Sequence, residues 1–497
     1  MVSSVDFSGR PFHFIGVGGI GMSALAQILA ERQLPVSGSD IRLNHITQRL
    51  ETLGVHIFSQ QAAVNLSFFE SFNPSAPGIL PDDSAPPVPT PEAPSPPLPP
   101  PAQVVCSTAI NPTNAEYQAA LDLGCPIFHR SDILAALIRD YKSIAVSGTH
   151  GKTTTSALIG YLLTQGNLDP TVVIGGEVNA LGGNARLGSG TYLVAEADES
   201  DGSLIKFSPY LGVITNIELD HPDHYNSLQE VIDTFTTFSN HCTLTLACLD
   251  CATLRQHFQP DLSYSLDPAT GATYTVTDIR YQGDGCQAQV WERGICLGEL
   301  TIGLLGSHNL SNALAAVAVG RQVGLSFETI TAALATFEGA KRRFEYRGSC
   351  NGIALVDDYA HHPSEIQMTL AAARLQVQTQ TSNLPIQPQR IIAVFQPHRY
   401  SRTEALLSEF AKAFGDADVV LISDVYSAGE AKTSKADGAA VATAIGHHHS
   451  QVNYCPALDQ VVHWLSQNLY SGDLVLFLGA GNLNQIIPTV LEQLQQS

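Results

Sequence analysis

Lysine is scarce in this chain: seven occur in 497 residues, against 46 acidic residues, and the net charge is −21. A nucleic-acid binder needs a basic face for its phosphate contacts, so that class is excluded. No run of about 18 consecutive apolar residues occurs, so no membrane span is expected. The first nine residues lack a basic segment followed by an apolar run, so no secretory signal is expected either. The nine cysteines are scattered and odd in number, which suits free thiols in a reducing cytoplasm. Cys248 and Cys251 form a Cys-x-x-Cys near His241, Cys242 and His257, but no second pair follows at the spacing of a zinc finger. Cys248 lies in an apolar run (244–249) and reads as a buried strand thiol, and His447, His448 and His449 read as a solvated loop.

Hydrophobic residues make up 44% of the chain and charged ones 14%, enough for a large core, and the length predicts about three domains. One of the few lysines falls in the most informative stretch, 143–155, Ser-Ile-Ala-Val-Ser-Gly-Thr-His-Gly-Lys-Thr-Thr-Thr. A short apolar strand ends in a glycine turn and a helix then opens on hydroxyl residues, the arrangement that holds a nucleoside triphosphate. Gly148 and Gly151 let backbone N–H groups turn toward phosphate oxygens. Lys152, read as exposed on its loop, reaches the β/γ-phosphates, and Thr153 places its hydroxyl on Mg²⁺. Thr149, His150 and Thr154 complete the loop, and the expected ligand is ATP or a close analogue. Val146 stands at the first position of the usual P-loop spacing, so the match is to the geometry more than to the generic pattern.

Residues 73–101 hold 13 of the 28 prolines. Proline at that density packs neither as helix nor as sheet, and the tract reads as a disordered surface-loop insertion within one domain. Three blocks follow: 1–141, 142–345 and 346–497. The first opens with a strand (12–17), a glycine turn and a helix (20–31). The second opens with the phosphate loop, and the third has apolar strands at 353–356, 391–395, 419–422 and 474–478. Strands alternating with helical patterns predict α/β architecture with parallel sheets. Ligands in such sheets gather at the carboxyl ends of strands, where the remaining motifs fall.

Gly16-x-Gly18-Gly19-x-Gly21 follows the first strand, and Asp40 ends the next. This is a dinucleotide fingerprint. It leaves open an NAD-dependent oxidoreductase, although a nucleoside-diphosphate sugar supplies the same pyrophosphate and the second nucleotide loop favours it. Glu196-Ala-Asp-Glu-Ser-Asp201 follows a strand, where a carboxylate can ligate Mg²⁺; most of its acids are expected to be solvated or outside the metal's immediate shell. Asp220 and His221 offer further metal or phosphate contacts. Asn309 and Asn312 share a helix face that could read an adenine edge. Arg343 sits at a block junction, able to close over a triphosphate. Arg399 and Arg402, three residues apart, could clamp a carboxylate together.

Six motifs then appear in chain order: Gly-Thr-His-Gly-Lys-Thr-Thr, Glu-Ala-Asp-Glu-Ser-Asp, Thr-Asn-Ile-Glu-x-Asp-His, His-Asn-x-x-Asn-Ala, Asp-Asp-Tyr-x-His-His-Pro and Phe-Gln-Pro-His-Arg-Tyr. With the N-terminal glycine turn they resemble the Mur ligases of peptidoglycan synthesis, across the whole chain except the proline tract. The resemblance implies three α/β domains, Rossmann-like at both ends and P-loop ATPase-like in the centre, taking a UDP-sugar, ATP and an amino acid in turn. It implies a cytoplasmic enzyme that is a monomer or weak homodimer, and the alanine-adding branch in particular. There the carboxylate of UDP-N-acetylmuramate attacks the γ-phosphate of ATP, and the amine of L-alanine displaces phosphate from the acyl phosphate. It places the catalytic work on Lys152, Glu196, His221, Arg399 and Arg402, and Mg²⁺ on Thr153, Glu196 and His221. Nucleotide contacts fall on Asn309, Arg343 and Asp358, the UDP-sugar on Gly16, Gly18, Gly19, Gly21 and Asp40, and the amino-acid side on Tyr359, Arg399 and Arg402. Related ligases carry a carbamylated lysine downstream of the Asp-His pair; no lysine lies between Lys206 and Lys341 here, as in the alanine-adding branch. Ala360 replaces the glycine of the family pattern, which questions the backbone geometry there. A recycling ligase that attaches a tripeptide to the same sugar is the alternative within the family.

Overall fold

Residues 4–71, 101–432 and 436–496 are described in a computed structural model. The disorder expected of the proline-rich tract falls, for residues 73–100, outside the described residues. Three sheets organise the described chain, one in each third. In the first, five parallel strands lie in the order His56–Phe58, Val36–Ser39, Phe12–Ile15, Gln103–Cys106, Ile127–His129. Strand order reverses on either side of Phe12–Ile15, and the glycine turn leaves from that crevice, where doubly wound sheets take their ligands.

The second sheet has ten strands, with Lys142–Ser147 between Leu211–Ile214 and Tyr192–Glu196. Each of these three strands is parallel to its neighbour, so the phosphate loop, the acidic run and the Asp-His segment leave from one edge. The prediction of parallel sheets fails at the far side. There Tyr274–Gln282, Gly285–Glu292 and Ile295–Ile302 form an antiparallel meander. Their connections are tight turns too short for a helical crossover, and antiparallel pairing is the geometry such turns permit. The third sheet has six strands, in the order Glu345–Cys350, Ile353–Asp358, Asp473–Leu478, Arg390–Phe395, Val419–Ile422, Val452–Tyr454; the first of them runs antiparallel to its neighbour.

Helix packing ties the first two sheets together. In helix Ile20–Glu31 every residue from Met22 to Ala30 is buried, as expected of a helix covered on all sides. One side lies on the first sheet; the other meets the middle block, where Asn184 Nδ2 donates to the Ile20 carbonyl at 2.5 Å and Gln27 Nε2 to the Ala185 carbonyl at 3.1 Å. A single apolar cluster accordingly runs from Phe12 in the first block to Ala340 at the end of the second. The third block has two clusters of its own, one on each face of its sheet. Among the described residues no helix is long and apolar enough to cross a membrane.

Candidate active site

The phosphate loop is held by the segment that follows Leu211–Ile214. His150 N–H donates to Asn216 Oδ1 at 2.8 Å, and Thr215 Oγ1 donates to the His150 carbonyl at 2.6 Å. Gly148 (φ +140°) and Gly151 (φ +81°) turn the loop, and a Cβ on Gly148 would stand 2.0 Å from Thr215 Oγ1. No other residue fits there. Gly151 precedes helix Lys152–Gln165, whose first backbone N–H groups point at the space a phosphate would fill.

Lys152 is not the exposed lysine that the sequence suggests. It folds back over its loop, donating to the Gly148 and Thr149 carbonyls, and Nζ lies 2.8 Å from the carboxylate of Glu199. Glu199 is buried, and that burial raises its pKa to about 7 even with Lys152 beside it. The acidic run is likewise not solvated. Glu196 accepts from Thr153 Oγ1 at 3.0 Å and from Gly175 N–H at 2.7 Å. Asp198 and Asp201 face Arg130 at 3.1 and 3.4 Å. Despite burial, Lys152 and Arg130 hold Asp198 at about 2.

His221 takes a left-handed backbone (φ +56°), costly for a side chain other than glycine and characteristic of functional sites. Its Nε2 is 3.7 Å from both Glu199 and Asp220. Burial lowers its pKa, with Arg402 and Lys152 adding to the effect against Asp220, so the imidazole is neutral and free to ligate. Thr153 and Glu196 meet directly, while His221 faces Glu199 and Asp220.

Across the junction, a cavity of about 560 Å³ opens between the middle and third blocks. His150, Gly151 and Thr154 form one wall, Asn309 and Asn312 another, and Arg343 and Asp358 come from the opposite side. Asn309 and Asn312 share a helix face as expected, joined Nδ2 to Oδ1 at 3.3 Å. Asp358 accepts from the Ala360 and Phe344 N–H groups, each at 2.8 Å, and burial raises it to about 6. Ala360 is fully buried and takes no left-handed backbone, so alanine stands there without strain. Arg343 and Arg342 flank the Tyr359 ring at 5.5 and 4.9 Å from its centroid. Cys248 and Cys251 also line the cavity as free thiols, and burial pushes the Cys248 thiol up to about 11.

Arg399 and Arg402 do not form a joint carboxylate clamp. The buried Arg402 guanidinium pairs with Asp220, Nε to Oδ1 at 2.8 Å and Nη2 to Oδ2 at 3.2 Å. Arg399 pairs with Asp223 at 2.8 Å and Glu430 at 3.4 Å. Both arginines are therefore spent on carboxylates of this chain, and the pairs to Asp220 and Asp223 cross from the third block to the middle one. Around them His150 Nδ1 faces Glu365 at 3.4 Å, and Ser364 Oγ donates to Glu218 at 2.9 Å. Burial opposes a charge on His150, but Glu218 and Glu365 outweigh it and lift its pKa to about 9. These cross-block partners were missed in the sequence, where no local signal pairs them.

The glycine turn of the first block meets the acidic run of the middle block through Arg130. Asp40 Oδ2 accepts from Gly18 N–H and Oδ1 from Arg42 N–H, each at 2.9 Å, so this acid shapes the turn that was expected to present it to a ribose. Arg130 passes Gly21 on its way to Asp198 and Asp201, linking the turn to the acidic run.

Sequence profiles agree with this three-part arrangement. Residues 11–142 match the Mur ligase family catalytic domain, 146–320 the Mur ligase middle domain and 342–481 the Mur ligase glutamate ligase domain. The chain belongs to the Mur ligase family. Within that family it is 60% identical over 492 residues to the UDP-N-acetylmuramate–L-alanine ligase of Synechococcus elongatus, covering 99% of this chain and 98% of that protein. Its fold is similar to the crystal structure of the UDP-N-acetylmuramate–alanine ligase of Thermotoga maritima (TM-score 0.77, 28% identity, 98% and 99% coverage). A murein peptide ligase from Psychrobacter arcticus shares the Mur ligase fold at 21% identity (TM-score 0.67, 98% and 99% coverage).

Proposed function

We propose that this Mur ligase joins the amine of L-alanine to the carboxylate of UDP-N-acetylmuramate, with cleavage of ATP to ADP and phosphate, in cytoplasmic assembly of peptidoglycan precursors. The observation that carries the reading is the full-length 60% identity to a ligase of that name. The geometry supplies the means. Block 1–141 takes the UDP-sugar on its glycine turn, 142–345 takes ATP, and 346–497 brings the amino acid. The parts of the site lie within one chain, which supports action as a monomer or weak homodimer.

The loop residues Gly148 to Thr154 cradle the phosphates through their backbone, and Lys152 leaves its own carbonyls to stabilise charge developing on the transferred phosphoryl group. Asn309, Arg343 and Asp358 close the nucleotide from the sides. Thr153 and Glu196 fit Mg²⁺: burial raises Glu196 above the usual carboxylate range, and a dication would restore its charge. Neutral His221 is the expected further ligand. When bound, Mg²⁺ would neutralise the phosphate oxygens and orient them for in-line attack. The ion pairs of Arg399 and Arg402 hold the third block down, excluding water from an acyl phosphate that would otherwise hydrolyse. Tyr359 lies at the amino-acid side of that closure.

Phosphate release from ATP in the presence of UDP-N-acetylmuramate tests this directly, with L-alanine, serine, glycine and the tripeptide compared as acceptors. L-alanine should give the highest kcat/KM. Preference for the tripeptide would move the chain to the recycling branch.

A further inference from the structure

Two histidines and a carboxylate converge at the junction of the middle and third blocks, and the ligation chemistry assigns their side chains no step. His150 comes from the phosphate loop, Glu218 from the segment after Leu211–Ile214, and His362 from the N-cap of helix Pro363–Thr379. One ligand atom from each lies within 4.8 Å of the other two. His150 Nε2 is 3.4 Å from Glu218 Oε2, and His362 Nδ1 is 3.9 Å from the same oxygen. A charge-assisted hydrogen bond would be about 2.7–2.9 Å. Donor atoms about 2.0–2.1 Å from a tetrahedral zinc stand about 3.3–3.4 Å apart. The spacing is that of neighbouring ligands.

Two further observations point the same way. His362 is buried; its Nδ1, the nitrogen beside Glu218, accepts from Ser364 N–H at 3.3 Å, while its Nε2 has no hydrogen-bond partner, and neither has His150 Nε2. Behind His150, Nδ1 faces the carboxylate of Glu365 at 3.4 Å, an acid placed on the side where a metal-binding imidazole takes its support. Ser364 Oγ steadies Glu218 Oε2 in the same manner at 2.9 Å. Two imidazoles and one carboxylate suit Zn²⁺ and not Mg²⁺, which demands oxygen donors in octahedral array. His150 and Glu218 also line the cavity, which leaves a side for water or an exchangeable ligand.

We propose that His150, Glu218 and His362 form a zinc site that ties the third block to the middle one. Two ligands come from one side of the junction and one from the other, so metal binding and domain closure are one event. The site is separate from Thr153 and Glu196, and its donor set differs from theirs.

The test uses the full reduced chain in excess Mg²⁺, with Zn²⁺ followed by calorimetry and Co²⁺ by visible absorption. One zinc per chain is expected, and Co²⁺ should give the intense bands of tetrahedral coordination without a thiolate charge-transfer band. His362→Ala and Glu218→Gln should each weaken zinc about tenfold or more. The Glu218 side chain is partly exposed, so Glu218→Gln keeps the test alive if loss of the His362 cap prevents folding. Zinc should slow amide exchange on both sides of the junction, around 215–218 and around 361–365. Unchanged affinity in folded variants would overturn the proposal. A thiolate band would move the metal to Cys248 and Cys251, and loss only on replacing His447 and His448 would leave an adventitious ion on the exposed run. Either result would overturn it, and protection confined to one side would overturn the tie.

Discussion

Between the first and middle blocks the apolar core continues without a break, and buried uncharged links such as Asn184 to Ile20 and Ser23 lie within it, with ion pairs such as Arg130 with Asp198 and Lys206 with Asp132 beside it. Among the described residues, no cluster of buried apolar side chains spans the middle and third blocks. That junction is made of charges, Arg402 with Asp220, Arg399 with Asp223 and His150 with Glu218 and Glu365, around a large cavity. Apolar burial holds a seam in one state. Ion pairs depend on geometry, protonation and salt, and release when these change. The difference predicts which boundary moves: the third block should swing, with the first two travelling as one body.

The largest effect should come from breaking the charged seam at its buried pair. Arg402→Ala leaves Asp220 buried without its partner, a loss of about 3–5 kcal/mol, and Asp220 is now held well below the usual carboxylate range by that arginine despite its burial. Amide formation should fall by more than about a hundredfold on that scale, while titration shows UDP-N-acetylmuramate still binding the first block. Loss of sugar binding would mean the seams are not independent.

Lys152→Ala probes the chemistry inside the rigid body. Removal of one group that stabilises developing charge costs about 10²–10³ in turnover, read as phosphate release, with both seams intact by amide exchange. Turnover near that of the unaltered chain would deny Lys152 its role.

A third prediction uses pH to loosen one seam only. His150 has its pKa raised from 6.5 to about 9 when the blocks are closed. Its contribution is therefore complete below pH 6.5 and fades as pH rises through 9. Glu218, held at about 2 chiefly by the His150 ring 3.4 Å away, stays ionised over that range. In chelating buffer, proteolytic release of the third block should accelerate from pH 6.5 to 9, and Glu218→Gln should flatten the profile. A flat profile in the unaltered chain would show that His150 does not hold the seam.

The smallest effect is expected at the apolar seam. Asn184→Ala removes one of two side-chain donors to the Ile20 carbonyl, Ser23 Oγ remaining, at about 0.5–1.5 kcal/mol, and should lower the melting temperature of the first two blocks while they still melt together. Separate transitions would break the comparison.

What the sequence discloses is local. The glycine turn before Ile20–Glu31 and the phosphate loop before Lys152–Gln165 each join a strand to a helix within a few residues, so their periodicity and punctuation are readable. The antiparallel meander was lost because a bias toward alternating strand and helix overrode the tight turns at Gly283 and Gly294. The partners of the site were lost for another reason. Arg402 and Asp220 lie 182 residues apart, Lys152 and Glu199 lie 47 apart, and nothing along the chain states which acid meets which base. Arg399 and Arg402 looked like a free clamp because their spacing was visible and their carboxylates were not.

The shared core also governs how the chain is born. Helix Ile20–Glu31 leaves the ribosome with one side ready to pack on its own sheet. The other side waits for Thr171–Val178 and Gly183–Arg186, more than a hundred residues downstream. At the usual 5–20 residues per second, that delay is roughly ten to thirty seconds. Throughout it a nearly all-apolar helix lacks its second cover, an exposure of the kind chaperones recognise, and the interval closes only when the middle sheet arrives.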